Sequence, residues 1–397
     1  MISSAPHIAN VKYAIRNIAA EGARLEATGR RILFCNIGDP LKYDFPTPPH
    51  LVAAVEKAMK DGLNGYGPSA GLKKAREAIA ADFNARGMKA VKPENVFVTS
   101  GASEAIDLTL TALLEPGDEV LLPAPGYPLY NAIAARLGAT AVNYYPDESK
   151  DWAIDPDELE SHVTKRTKAL IICNPNNPTG ALMNAETLKR VIDVARRHNL
   201  ALLSDEIYDK LLYGGTHTPT ATLATDVPII TFNGLSKAYL ACGWRVGWLV
   251  FNNPHLTRDV EAAVQRLADA RLCGPTPFQH AIEPALTGPQ DHIPTMMAKM
   301  RSRRDVMMKG LRSVPGLSVV EPAGAFYAMP RIQIPGVVDD EKFVLEVLNE
   351  TGVLFVHGSG FGQKPGTQHF RVVFLPPENI LSEAFASLAS FVKRKYG

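Results

Sequence analysis

The chain has only four cysteines, Cys35, Cys173, Cys242 and Cys273, and no two of them form a C-x-x-C pair. Cys35 and Cys173 fall inside apolar runs, so the four read as reduced thiols of a cytosolic protein, with no zinc knot and no dithiol redox motif. Ten histidines are scattered without H-E-x-x-H or a Cys/His cluster, and no metal site is expected. No apolar run approaches the roughly 20 residues needed to span a bilayer, and the start Met1–His7 lacks a basic segment followed by an apolar one. The expected location is the cytoplasm. An excess of one charge sign is missing too: 42 Lys and Arg stand against 41 Asp and Glu, a formal net charge of +1. That balance gives no electrostatic footprint for nucleic acid or an anionic membrane. Nucleotide loops are also absent, because Gly65, Gly67 and Gly71 miss G-x-G-x-x-G by one position and no Gly-Lys-Ser/Thr follows. Leu200–Glu206 imitates a Walker B strand, but without a Walker A loop before it an ATPase is disfavoured.

Core material is plentiful. At 397 residues with 46% hydrophobic and 21% charged, the chain exceeds the size of a single core, and two domains are expected. Residues 1–45 read as an N-terminal arm and part of a small domain, 46–285 as a large domain, and 286–397 as a small C-terminal domain. From about Asn95 strands and helices alternate. Candidate strands are 96–99, 120–122, 139–144, 169–173, 200–204 and 229–232, with helices at 103–114, 128–137 and 185–198 between them. Ala169–Cys173 and Leu200–Ser204 are apolar on both faces, as strands covered by helices on both sides must be. The fold class is therefore α/β, a mostly parallel sheet between helices plus a smaller α+β domain. Between Phe232 and Val246 there is no room for a crossover helix, so the strand 246–250 should run antiparallel to its predecessor. Further helices are expected at 11–27, 51–60, 256–271 and 292–312.

Ligands of such sheets bind beyond the carboxyl ends of the strands, and the notable polar clusters fall there. Thr99-Ser-Gly-Ala-Ser103 opens a helix and suits a phosphate. Asn174-Pro-Asn-Asn-Pro-Thr-Gly180, Asp205-Glu-Ile-Tyr208 and Lys237 with Arg245 follow the next three ends. A lysine at the mouth of a buried sheet must be paired, neutralised or covalently used, and desolvation would make it a free amine able to form a Schiff base. A serine–lysine pair in a loop is by itself commonly just solvated. The set as a whole matches the needs of pyridoxal phosphate: a lysine, a helix N-terminus with a cation, a carboxylate for the ring nitrogen and an aromatic face. Near the C-terminus His369–Phe374 alternates so that Arg371 lies on an apolar strand, where it needs an anion.

The S-K-A with arginine eight beyond, N-P-N-N-P-T-G, D-E-I-Y and P-G-Y-P resemble class I aminotransferases of the aspartate-aminotransferase fold type, over nearly the whole chain. Val11–Arg16, Asp205–Lys210 and Phe232–Tyr239 are most similar to the bacterial alanine (glutamate–pyruvate) subgroup. The resemblance implies fold type I with a seven-stranded sheet, pyridoxal 5'-phosphate, ping-pong transfer between alanine and 2-oxoglutarate, and a homodimer with shared sites. It also implies roles. Lys237 corresponds to the Schiff-base lysine, Asp205 to the carboxylate at the ring nitrogen, Asn177 and Tyr208 to the partners of the ring oxygen, and Tyr127 to the stacking aromatic. Gly101, Ala102 and Ser103, joined by Ser236 or Arg245, resemble the phosphate cup, and Tyr66 the phosphate ligand supplied by the second subunit. Arg371, assisted by Gly38 and Asn177, resembles the group that binds the substrate α-carboxylate. Tyr13 and Arg16 lie on the segment placed over the entrance, where Arg16 could swing in for a second carboxylate. One departure stands out: many relatives have serine three residues before the lysine, and here it is Gly234, which puts cofactor affinity in doubt. Aspartate or broad amino-donor specificity, or a C–S lyase on the same fold, are the open alternatives.

Overall fold

The structure is a computed structural model that describes residues 2–11, 14–88 and 91–397, with the side chains of 6, 7 and 14–17 excepted. After a short N-terminal 3-10 turn, the helix Ala14–Glu26 leads to the two-residue strand β1, Leu33–Phe34. The chain then builds one seven-stranded sheet. Its members are β2 Val96–Ser100, β3 Glu119–Pro123, β4 Thr140–Tyr144, β5 Thr167–Cys173, β6 Ala201–Asp205, β7 Ile229–Gly234 and β8 Val246–Asn252. They lie in the order β2-β8-β7-β6-β5-β3-β4, and only β8 runs antiparallel to its neighbours β2 and β7. The expected reversal at β8 is present, and its cause is the short connection from Leu235 to Arg245, which holds no helix long enough to cross the sheet.

Period-two alternation splits the apolar residues of the strands between two cores. Val98, Leu121, Leu170, Ile172 and Leu202 face one side, while Phe97, Val120, Leu122, Ile171 and Leu203 face the other. The helix Ala185–His198, with Leu188, Val191, Ile192 and Ala195 buried along one stripe, covers the first face. Ala102–Leu113 and Pro128–Leu137 cover the second, through Ile106, Leu110, Ile133 and Ala134. Burial on both faces is what a parallel sheet demands, since its crossovers place helices on each side.

A third core joins the two ends of the chain. Ile18, Leu25 and Leu33 pack with Phe343, Val347, Leu388 and Phe391. Its strands are short: β9 Leu317–Ser318, β10 Tyr327–Ala328, β11 Arg331–Ile332, β12 Val353–Leu354, β13 Val356–His357 and β14 Phe370–Val373. The first strand, β1, pairs in parallel with β12, and β14 sits between β10 and β13. Long helices His292–Arg312, Asp340–Thr351 and Glu378–Tyr396 close this region. The predicted helix 256–271 begins instead at Arg258, because Pro254–Leu256 forms a separate 3-10 turn. Among the described residues no helix is long and apolar enough to cross a membrane.

Candidate active site

The carboxyl ends of β5, β6 and β7 open on a cavity of about 340 Å³, which the third core closes from the other side. Ala102, Ser103, Tyr127, Asn177, Asp205, Tyr208, Ser236, Lys237, Arg245 and Arg371 line it together with Gly38. Residues separated by more than 300 positions are thus brought to one place, and each arrives on a rigid element or directly after one.

Lys237 Nζ donates to the Gly38 carbonyl at 2.8 Å and lies 5.6 Å from the centre of the Phe326 ring. Burial acts to lower its pKa, but the neighbouring Cys242, Tyr327 and Asp39 outweigh that effect and hold the ammonium above its ordinary range. The sequence expectation that desolvation alone would free the amine is therefore corrected. Proton loss at Lys237 needs a reaction partner or a change in its neighbours.

Asp205 ends β6 in a buried position. Tyr130 Oη donates to one carboxylate oxygen at 2.6 Å and the Ile207 backbone N–H to the other at 3.2 Å. Desolvation dominates these hydrogen bonds, and the pKa is pushed up to about 6. A cation placed beside this carboxylate would relieve that penalty. Tyr127, at the N-cap of the helix Pro128–Leu137, meets Tyr130 edge to face at 5.7 Å between centroids.

Arg371 is fully enclosed. Its guanidinium donates to the Asn36 carbonyl at 2.7 Å and to Asn177 Oδ1 at 3.2 Å, and it lies over the rings of Tyr327 and Phe361, 4.9 and 4.8 Å from their centroids. Two aromatic faces and two hydrogen bonds hold the guanidinium in place, which suits bidentate recognition of a carboxylate. Tyr208 Oη shares a 2.9 Å hydrogen bond with Tyr327 Oη, and burial pushes the Tyr208 phenol well up.

The helix Ala102–Leu113 begins behind Gly101, whose φ of +78° belongs to the left-handed region. A Cβ on Gly101 would run into the Arg245 guanidinium, and one on Gly247 would run into the Ala102 backbone nitrogen. Arg245 itself donates to the carbonyls of Cys242 and Ser100 at 3.0 and 3.2 Å. This is a cradle in which backbone N–H groups and a cation approach without side chains between them, suited to a phosphate. Lysine, buried carboxylate, aromatic wall and anion cradle share one cavity, so the donor set fits pyridoxal phosphate.

Gly234 has a structural reason. A Cβ there would sit 2.7 Å from the Val246 carbonyl oxygen and 2.8 Å from Gly247 Cα, so the close approach of β7 and β8 leaves no space for a side chain. Three other predicted residues are not seen at the cavity, one by position and two because their side chains are not described. Tyr66 is 87% exposed and away from it. Tyr13 lies outside the described residues, and so does the side chain of Arg16. Sequence reasoning missed Tyr327, Tyr130, Cys242, Asp39 and Lys42, all of which line the cavity or bond its walls. For Lys42 a signal was present, since it follows the Asn36–Pro40 turn by two positions. Tyr130 sits one helical step from Tyr127, but nothing in its spacing points to Asp205.

Comparisons with known proteins agree in kind. The family model described as "Aminotransferase class I and II" matches residues 36–385. An alanine aminotransferase of Mycobacterium tuberculosis is 41% identical over 392 residues, 96% of this chain and 91% of the relative. A glutamate-pyruvate aminotransferase of Escherichia coli is 40% identical over 399 residues, 98% of each chain. The solved alanine aminotransferase from Pyrococcus furiosus superposes with a TM-score of 0.96 at 43% identity, over 99% of this chain and all of that one.

Proposed function

Because the chain belongs to the class I and II aminotransferases, we propose that it transfers an amino group from L-alanine to 2-oxoglutarate, by alternating half-reactions, with pyridoxal 5'-phosphate held at Lys237. When bound, that group supplies an aldehyde carbon for the amine and a protonated ring that accepts the electron pair left at the substrate α-carbon. Lys237 Nζ would take the proton from the α-carbon of the donor in one half-reaction and deliver one to the α-carbon of the acceptor in the other. Asp205 keeps the proton on the ring nitrogen, and the pairing relieves the desolvation that raises its own pKa. Tyr127 covers one ring face, while Asn177 and Tyr208 serve the ring oxygen. Gly101, Ala102 and Ser103 with Ser236 and Arg245 hold the phosphate. Arg371, with Asn177 and the Gly38 backbone, takes the α-carboxylate.

What supports the reading most is one half-buried lysine meeting a buried carboxylate and an arginine held over two aromatic rings in a single cavity. Tyr66, exposed on its own chain, fits the phosphate ligand of a second copy in a homodimer. The same reading divides the chain at about residues 46 and 286 and places it in the cytoplasm. Tyr13 and Arg16 keep their assignment at the entrance from the sequence likeness alone.

The test is to mix the cofactor-loaded enzyme with alanine, aspartate and glutamate separately and follow each half-reaction by its absorbance change. Alanine and glutamate should both react, and alanine with 2-oxoglutarate should give parallel-line ping-pong kinetics. Borohydride reduction should fix the label on Lys237. Faster reaction with aspartate than with alanine would move the enzyme to the aspartate or broad-specificity class. Oxo-acid release without an acceptor would make it a lyase.

A further inference from the structure

An enzyme that accepts both alanine and glutamate has to manage a second carboxylate that is present for one substrate and missing for the other. A buried cation kept ready for it would be desolvated and unpaired whenever alanine occupied the site. The wall segment from Asn36 to Lys42 offers another arrangement. Its residues meet the site in sequence: the Asn36 carbonyl accepts from Arg371, and the Gly38 carbonyl accepts from Lys237. A substrate with its α-carboxylate at Arg371 and its α-carbon at Lys237 would lie along this segment, which leads on to the turn Pro40–Lys42 at the cavity wall.

Four cations line the cavity among its described residues: Lys42, Lys237, Arg245 and Arg371. Three have tasks in the reading above. Lys42 is exposed on the 3-10 turn and makes no hydrogen bond or ion pair among the described residues. Asp39 lines the same stretch and caps the turn by accepting from the Leu41 N–H at 3.1 Å, so its charge would repel a second carboxylate unless a cation intervened.

Resting on the proposed amino-transfer reading, we infer that Lys42 is a specificity residue that binds the distal carboxylate of glutamate and 2-oxoglutarate. Its ammonium stands in water while alanine is bound, which costs no desolvation. Its flexible four-carbon stem swings onto the second carboxylate when a dicarboxylic substrate enters. This role stands on residues distinct from the entrance segment that carries Arg16.

The experiment measures kcat/KM for alanine, pyruvate, glutamate and 2-oxoglutarate in separate half-reactions of the parent, Lys42→Gln and Lys42→Arg holoenzymes. Lys42→Gln should lower the glutamate-to-alanine and 2-oxoglutarate-to-pyruvate ratios by roughly five- to twentyfold, as loss of one charge-assisted contact predicts. The effect should fall mainly on KM, and Lys42→Arg should restore most of both ratios. Ratios that stay within twofold of the parent, or a fall in Lys42→Gln that Lys42→Arg does not relieve, would overturn the assignment. A parent enzyme that prefers aspartate to alanine would instead refute the proposed donor, while the ratio of dicarboxylic to monocarboxylic substrates would still judge Lys42.

Discussion

Asp205 shows how one buried carboxylate links fold and chemistry. Its pKa of about 6 in the folded protein exceeds the ordinary value of 3.8, so the folded state binds the proton more tightly than the unfolded chain does. Stability contributed by this group is full below about pH 4, falls as pH rises, and is lost above about 6. The gap corresponds to roughly 1–3 kcal/mol, a penalty that a cationic ring nitrogen would cancel. Asp205→Asn stripped of cofactor should therefore melt at a higher temperature than the equally stripped parent at pH 7.5, and the two should converge near pH 4. The loaded variant should lose most of its half-reaction rate, because an unprotonated ring is a poor electron sink. A lower melting temperature for the stripped variant at pH 7.5 would mean that the carboxylate stabilises the fold as an anion. Places at the cavity were readable where a residue sits in a linear motif, as Lys237, Asp205 and Asn177 do. Tyr327 escaped because Gly-Ala-Phe-Tyr-Ala-Met reads as apolar core, and its hydroxyl meets Tyr208 only through a contact 119 positions apart.

At the scale of elements, the pairing of β7 with β8 decides the meaning of Gly234. Absence of a serine there looks in the sequence like a lost phosphate ligand, yet the Val246 carbonyl and Gly247 Cα occupy the space that a side chain would need. Gly234→Ser should accordingly destabilise the protein by roughly 1–3 kcal/mol, as overpacking of a close backbone approach does. Denaturant titration alongside cofactor titration checks this, and tighter cofactor binding with unchanged stability would contradict it. Legibility also varied by element. Helices Pro128–Leu137, Ala185–His198 and His292–Arg312 match their sequence-based limits because an apolar stripe runs their full length. In the terminal region most strands have two residues, too few for alternation to show, and only long-range packing defines them.

For the whole molecule, the exposed Tyr66 turns the proposed homodimer into a measurable claim. Suppose Tyr66 serves the phosphate of the opposite subunit. Then a mixed dimer of Lys237→Ala and Tyr66→Ala chains has one site with both lesions and one with neither. Random reassociation of equal amounts should recover roughly a quarter of parental activity from two nearly inactive stocks. No recovery after verified subunit exchange would place Tyr66 in its own chain's site or outside the mechanism. The strand order came only with the structure, while the parallel character of the sheet and the reversal of β8 were legible, since two-sided apolar strands and a missing crossover constrain them. How the two chain ends share a core was not, because no local pattern records which distant strand β1 will meet.

That meeting has a consequence for synthesis. The first strand, β1, pairs with Val353–Leu354, so Leu33 and Phe34 have no native strand partner until about 320 further residues have been made. At roughly 5–20 residues per second the ribosome takes about a quarter of a minute to a minute over that stretch. The last strand of the sheet, β8, ends at Asn252, about 100 residues before Val353 is made, so the sheet has time to fold while β1 waits. Chaperone contact during translation should accordingly concentrate on residues 18–35, a stretch born early and seated late.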